Sequence, residues 1–314
     1  MLVSVQMQMF RLAHITDPHF RSFAGALPSA LVGKRALGAL NILVNRRRKH
    51  RMELLEALGR HLLQQKVDHV ALTGDVGNIS LVGEWQAGLR WLQRYAGPPE
   101  KVTVIPGNHD AYVRDVVVSS AFEGLFAAYQ KGERAASRSD GAVHLGDSRE
   151  SYPFIRHRGP LILVAVNTCV PTGDLGAWGQ IGERQLRRLE SMLADPQFRN
   201  RQRVVLLHHP PVVHKHGEER NLRDRAGFAA VLANVGADLV LHGHDHRDEA
   251  ASLPGVGGRQ VPVIGAGSAS YAGEPQGRAR YNIYEFTGPK IVCVTFAHDR
   301  ERDEVVQVHR QPLS

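Results

Sequence analysis

The chain has 314 residues, 43% hydrophobic and 22% charged, which is ordinary globular usage and enough to bury a sizeable core in one large domain or two modest ones. Its 39 Lys and Arg against 31 Asp and Glu give a formal net charge of +8, which suits anionic partners such as phosphates, nucleic acid or an acidic membrane face, or simply a soluble Arg-rich protein. Two cysteines, Cys169 and Cys293, exclude a disulfide framework and fit a reducing, cytoplasmic setting, and no run of about 18 apolar residues predicts a membrane span.

Residues 1–8 precede any periodic pattern, lack a basic leader followed by a long apolar run, and read as an extension. From Phe10 onward short apolar runs recur, over 10–19, 67–75, 101–110, 161–168, 203–211 and 237–246. Each closes on Asp, His or Asn beside Gly, Pro or Thr and reads as a buried strand whose C-terminal end releases polar residues into a loop. Helical patterns lie between them at Arg51–Gln65, Gly83–Tyr95, Gly182–Leu193 and Leu222–Val235. In the first of these, MELLEALGRHLL repeats Leu at helical spacing and so buries one face. This alternation predicts an α/β fold with a largely parallel element. Beyond residue 250, VPVIGAGS, RYNIYEF and KIVCVTFAHD read as consecutive strands of a second, partly antiparallel sheet.

The domain is expected to span 9–300, with 1–8 and 301–314 as terminal extensions and insertions at about 20–50 and 111–160. The later insertion predicts a helix near Ser119–Lys131 and an Arg-rich tail. Loops this long in a compact domain are commonly functional or disordered, and both leave strand ends that carry polar clusters, so both are placed to roof a site.

Five clusters at predicted strand ends carry carboxylate, imidazole and carboxamide groups. They are Asp17-Pro18-His19, Gly74-Asp75, Gly107-Asn108-His109-Asp110, His208-His209 and Gly243-His244-Asp245-His246. Singly, each reads as well as a capped turn or a surface loop. Jointly they would deliver five strand ends to one place, where ligands gather in open α/β sheets. Oxygen and imidazole donors without Cys suit Mn, Fe or Zn. The glycines before Asp75, Asn108 and His244 allow a sharp turn and close backbone approach.

These clusters, in this order over residues 10 to about 250, resemble the calcineurin-like binuclear metallophosphoesterases, whose pattern runs D-x-H, GD, GNH[DE], a His in H-x-P, and GHxH. The resemblance implies a four-layer αββα sandwich of two mixed β-sheets flanked by helices. It implies two divalent metal ions, one held by Asp17, His19, Asp75 and His246, the other by Asp75, Asn108, His208 and His244, with Asp75 bridging. His209 is the other candidate at its position. Asp75 and His109 would be catalytic: a hydroxide bridging the ions would attack phosphorus, and His109 would contact the phosphoryl group and protonate the leaving group. For His109 the plain alternative is an imidazole hydrogen-bonded within the turn. Asp110 would orient His109 or cap a helix, while Asp245 and Arg247 read as ordinary polar neighbours. Purple acid phosphatases of this superfamily place a metal-binding Tyr three residues after the bridging Asp, where this chain has Asn78.

The resemblance points to a small phosphoester substrate. Class III cyclic-nucleotide phosphodiesterases resemble the chain in size and motif spacing. A phosphoesterase or pyrophosphatase acting on a nucleotide-linked lipid precursor, such as a UDP-diacylglucosamine, suits residues 26–51. There Leu27, Leu31, Leu37, Leu40 and Leu43 precede five basic residues in Arg46–Arg51. Such a segment suits peripheral contact with the inner membrane face, or a helix packed on the domain with a solvated charged end. Arginines between 114 and 158 would receive a nucleotide phosphate or simply keep the surface soluble. A nuclease ranks third, because nothing after residue 250 is long enough for a DNA-contacting cap, so nucleic acid is not the expected partner. Members kept as scaffolds carry broken ligand motifs, whereas here all five are intact. The oligomeric state is open, a dimer included.

Overall fold

Successive side chains of a strand face opposite ways, so a strand covered on both sides is apolar at most positions. In QRVVL and the Leu207 that follows, Val204 and Leu206 enter one apolar cluster while Val205 and Leu207 enter another. The same division runs through the molecule, a computed structural model that describes residues 8–42, 44, 47–135, 151–173, 176–213, 220–273 and 278–313.

The strands are β1 (Phe10–Ile15), β2 (His69–Thr73), β3 (Val102–Ile105), β4 (Arg134–Ala135), β5 (Phe154–Arg158), β6 (Leu161–Ala165) and β7 (Gln202–Leu206). They continue as β8 (Leu239–His242), β9 (Glu249–Pro254), β10 (Gln260–Gly265), β11 (Arg280–Thr287), β12 (Lys290–Asp299) and β13 (Glu304–Pro312). The helices are α1 (Lys34–Asn41), α2 (Arg47–Lys49), α3 (Met52–Gln64), α4 (Val82–Tyr95), α5 (Arg114–Ser119), α6 (Ala121–Leu125), α7 (Ala127–Gln130), α8 (Glu183–Leu193) and α9 (Arg225–Val235).

One sheet runs β13-β12-β11-β1-β2-β3 and the other β4-β5-β6-β7-β8-β10-β9. Both are mixed: β1, β2 and β3 are parallel, as are β6, β7, β8 and β10, while the remaining pairings are antiparallel. Leu12, Ala71, Leu163, Leu206, Leu241 and Tyr284 belong to the core between the sheets. Leu55, Leu58, Trp85, Trp91, Phe122 and Phe126 cover the outer face of the six-stranded sheet, and Leu189, Leu193, Phe228 and Leu232 cover that of the seven-stranded one. The result is the four-layer αββα sandwich. Among the described residues no helix is long and apolar enough to cross a membrane.

Four expectations change. The strands after residue 250 do not make a sheet of their own: β9 and β10 extend the seven-stranded sheet, whereas β11 to β13 complete the six-stranded one beside β1. Residues 301–314 are not an extension through most of their length, because β13 pairs with β12 from Asp299↔Glu304 to Val292↔Pro312 and forms a sheet edge. The helix foreseen at Ser119–Lys131 is three short helices, starting earlier at Arg114 and interrupted at Ser120, whose φ is 51°, and at Phe126. Helix α9 starts at Arg225 rather than Leu222, since the Asp224 carboxylate accepts from Ile181 N and Gly182 N and ties the entrance of α8 to that of α9. Of the expected terminal and insertion segments, residues 1–7, Leu43, Asn45, Arg46, 136–150 and Ser314 lie outside the described residues.

Candidate metal centre

Parallel strands emit their C-terminal loops at the same sheet end, and here the loops of both sheets are stitched together there. Asp17 N donates to Gly74 O at 3.1 Å and His19 N to Asp75 O at 3.1 Å, joining the loops after β1 and β2. Gly243 N donates to His208 O at 3.1 Å, joining those after β7 and β8. Across the sheets, His208 Nδ1 donates to Thr73 O at 2.7 Å and His244 N to Asp17 Oδ2 at 3.0 Å. Space is minimal: a Cβ on Gly107 would strike the backbone nitrogen and carboxylate of Asp75, so no side chain is tolerated there. Among the described residues nine non-glycine positions have positive φ, and five of them are Asp17, His19, Asp75, His244 and His246. Strain concentrated on five of seven predicted ligands marks these loops as shaped for a site.

All seven predicted ligands meet. Around one point lie Asp17, His19, Asp75 and His246, with donor atoms within 4.8 Å of one another. His19 Nε2 is 3.0 Å from His246 Nε2, 3.8 Å from Asp17 Oδ1 and 3.7 Å from Asp75 Oδ2, and His246 Nε2 is 3.2 Å from Asp17 Oδ1. Around the neighbouring point, His208 Nε2 is 3.5 Å from Asp75 Oδ1 and 3.1 Å from Asn108 Oδ1, which is 2.9 Å from His244 Nδ1. Asp75 therefore offers Oδ2 to one set and Oδ1 to the other. Two of the ring nitrogens that face away are engaged by carbonyls: His208 Nδ1 donates to Thr73 O and His19 Nδ1 to Gly77 O at 3.1 Å. Those bonds place the lone pair of each ring on Nε2, toward the centre.

The choice between His208 and His209 is made by direction. His208 Nε2 approaches Asp75 and Asn108, whereas His209 Nδ1 is hydrogen-bonded to Thr168 Oγ1 at 2.7 Å with its ring 4.6 Å from that of His244. His109 sits at the rim with its Nδ1 donating to Asn78 O at 2.6 Å and its ring stacked on Tyr112 at 5.7 Å. Its backbone nitrogen donates to Asp75 Oδ1 at 2.8 Å.

Several expectations are corrected here. Asp110 does not orient His109. Its buried carboxylate accepts from Val76 N, Gly77 N, Gly107 N and Trp85 Nε1 at 2.9–3.0 Å, clamping the loops that carry Asp75 and Asn108. Asn78 ties the loop after β1 by donating to the carbonyls of His19 and Phe20. Arg156 and Arg158, in the stretch read as phosphate-receiving or merely solubilising, have structural partners: Arg156 donates to the carbonyls of Val102, Tyr129 and Pro99, and Arg158 to Glu100 O and the Glu133 carboxylate.

One residue escaped sequence reasoning. His50, at the end of the basic run, is buried with its ring 4.5 Å from His19 and 5.2 Å from His246. A donor nitrogen of each of these three rings lies within 4.8 Å of the others. Backbone bonds from Arg51 N to Ser270 O and Ala272 N to Lys49 O hold it there, and its Nδ1 is hydrogen-bonded to Ser270 Oγ at 2.8 Å. No motif spacing announces it, because contact depends on how the insertion folds back.

Donors sharing an ion at about 2.1 Å stand about 3.0–4.2 Å apart, from adjacent to opposite positions. The pair distances given above, 2.9–3.8 Å, match that range to within about 0.1 Å, and the donor set of imidazole, carboxylate and carboxamide matches borderline divalent metals. Asp17 Oδ1 is buried and receives no hydrogen bond, whereas its Oδ2 accepts from Thr16 Oγ1 and His244 N. Burial works to raise the Asp17 pKa, yet the adjacent His246 ring holds it below the usual carboxylate range. Burial also keeps His244 well below the usual imidazole range, hence neutral and able to ligate. The residues present fit a two-ion centre.

The calcineurin-like phosphoesterase family model matches residues 10–248, and no curated protein matches the chain. Among solved structures, a dimetal phosphatase from Danio rerio shares the fold with a TM-score of 0.61 at 14% identity, over 95% of this chain and 98% of that one. A purple acid phosphatase isolated from yellow lupin (Lupinus luteus) seeds gives 0.60 at 11% identity over 96% of this chain, which spans 53% of the lupin chain, about half. The anchor in the inner membrane complex of Plasmodium gives 0.51 at 12% identity, over 98% and 89% of the two chains. At these identities the likeness is one of fold, and it includes both phosphatases and an anchor.

Proposed function

The chain belongs to the calcineurin-like phosphoesterase family, and from that premise we propose that it is a metal-dependent hydrolase of phosphodiesters, with a cyclic nucleotide as the first candidate substrate. The observation that carries this reading is the Asp75 carboxylate, with one oxygen toward each of two convergent donor sets. Bound there, two divalent ions neutralise phosphoryl oxygens and lower the pKa of water. The chain's own contribution is position and a proton. Asp17, His19, Asp75 and His246 would hold one ion, and Asp75, Asn108, His208 and His244 the other. His109 has Nδ1 committed to Asn78 O, so its Nε2 is the atom that carries a proton to the departing oxygen, and the same carbonyl stabilises the ring while it is charged. Tyr112, stacked on His109, fixes the ring plane. The preference for a diester rests on the likeness in size and motif spacing to class III cyclic-nucleotide phosphodiesterases.

One observation favours the second reading, a nucleotide-linked lipid precursor. A cleft of about 450 Å³ opens between residues 24–29 and the start of α4, lined by Ala26, Leu27, Leu81 and Val82 with Arg35 beside them. Its wall includes Ser80, whose hydroxyl donates to His109 O, so an acyl chain lying there would reach the metal centre's edge.

The test uses chelator-treated protein reloaded with Mn, Fe or Zn and assayed on bis-p-nitrophenyl phosphate, cyclic AMP and a UDP-linked diacylglucosamine. Turnover of the first is expected, with His109→Ala lowering kcat by about 10²–10⁴ while KM moves little. No turnover with any of these metals would defeat the enzyme reading. Faster turnover of the lipid than of cyclic AMP would install the second substrate in place of the first.

A further inference from the structure

Residues 20–52 contain eight Lys and Arg and no Asp or Glu, leaving 31 of each sign in the rest of the chain. The entire net charge of +8 therefore resides in about a tenth of the sequence. The same segment gathers exposed apolar side chains. Of thirteen large hydrophobic residues exposed among the described residues, six fall between Phe23 and Val44: Phe23, Leu27, Val32, Leu37, Leu40 and Val44, the last five each 57–68% exposed.

This exposure is imposed by the opposite face of α1. A Cβ on Gly38 would lie 2.5 Å from Ile79 and 2.9 Å from the Tyr112 hydroxyl, so that side of the helix is in close contact with the domain. Ile42 is buried against Ile79 and Leu81. Arg35 donates to Ile79 O and Ser80 O at 3.0 and 2.9 Å, and Lys34 Nζ donates to Thr172 O at 3.0 Å. With positions 34, 35, 38 and 42 turned inward, 37, 40 and 44 fall together on the far side at 3.6 residues per turn. Arg48, Lys49 and Arg51 are exposed beyond them.

We propose that the described residues of this face, between Phe23 and Arg51, dock the protein on an anionic lipid surface. Apolar side chains enter the acyl boundary while the flanking cations meet lipid phosphates, and this pairing is what an interfacial segment requires. A nucleic acid would match the charge but offers no apolar layer for Leu37 and Leu40. A second copy of the chain would set one cationic segment against another. Lys34, on the inward side of the same helix, lies 4.3 Å over the Tyr112 ring, which stacks on His109, so the helix that carries the docking face packs beside the rim of the metal centre. The docking itself stands apart from the phosphoesterase reading.

The experiment is co-sedimentation of the full chain with vesicles of phosphatidylglycerol and phosphatidylcholine in equal parts, against phosphatidylcholine alone. Binding to the anionic vesicles is expected, weakened at least tenfold in Leu37→Ser/Leu40→Ser and in Arg48→Glu/Lys49→Glu. Turnover of bis-p-nitrophenyl phosphate should be unchanged in both variants, which also reports that they fold. Absence of anionic-vesicle binding overturns the proposal. So does undiminished binding by the serine variant together with full displacement by a single-stranded oligonucleotide, which would mark a nucleic-acid surface. A dimer in sedimentation velocity that the serine variant dissociates, without vesicle binding, would assign the face to self-association and equally overturn it. Vesicle binding by a protein that turns over no phosphodiester would uphold docking and fail only the phosphoesterase reading.

Discussion

Asp110 lies next to His109 yet serves the metal centre only through the backbone, and Asp110→Asn exposes that role. Its Oδ1 accepts from Gly77 N and Trp85 Nε1 and its Oδ2 from Val76 N and Gly107 N, all buried. Asparagine keeps one oxygen for one of these pairs and turns an amino group toward the other. Two buried donors then lose their acceptor, at about 1–3 kcal/mol each. Part of that is offset, because burial disfavours the carboxylate's charge and has already raised its pKa, so a neutral amide relieves a cost. The net loss should be about 2–4 kcal/mol in urea unfolding at pH 7, and Asp110→Ala, which strands all four donors, should lose about 4 kcal/mol or more. Because Val76 and Gly77 follow Asp75 and Gly107 precedes Asn108, metal affinity by calorimetry should fall about 10–100-fold with stability. An asparagine variant within about 0.5 kcal/mol of wild type, binding metal normally but failing in catalysis, would refute the clamp and restore the role of orienting His109.

Glu84 is 1% exposed, and burial pushes its pKa up to about 7. The folded state thus holds a proton that the unfolded chain releases above about pH 4.5, so stability should fall as pH rises from there to about 7, by about 3 kcal/mol. Glu84→Gln keeps an acceptor for Ile79 N and Leu81 N, so wild type minus variant should shift by that amount between pH 5 and 8 in urea unfolding; a flat difference contradicts it. Asp75→Ala should abolish binding of both ions, and elemental analysis returning two ions per chain would exclude the bridging role. His50→Ala should weaken the ion beside His19 and His246 by about 10–100-fold and spare the other; equal losses at both, or none, would count against it.

The ligand types were legible because strands buried on both faces are largely apolar, so clusters of polar residues gather where strands end. Asp17, His19, Asp75, Asn108, His244 and His246 stand at those ends with glycine at three of the turns. The α/β alternation was legible for the same reason, as apolar runs alternating with one-faced helices such as MELLEALGRHLL, whereas the four layers were implied by the family resemblance. Edge pairing was not. β13 is exposed over most of its length and mixes valines with polar residues, and its place follows from hydrogen bonds to β12 that leave little trace in hydropathy.

By itself, then, the order of residues determined which chemical groups this protein can bring to a metal and the approximate points at which the chain releases them, since composition and periodicity respond directly to burial. Tertiary structure alone gave Asp110 to the backbone, recruited His50 from the far end of a basic insertion, and turned Leu37 and Leu40 outward, and it added a direction to the choice of His208 over His209 that the family pattern had made. Each of those outcomes depends on the direction in which a side chain leaves the backbone relative to a partner distant in sequence, and direction is a property of packing.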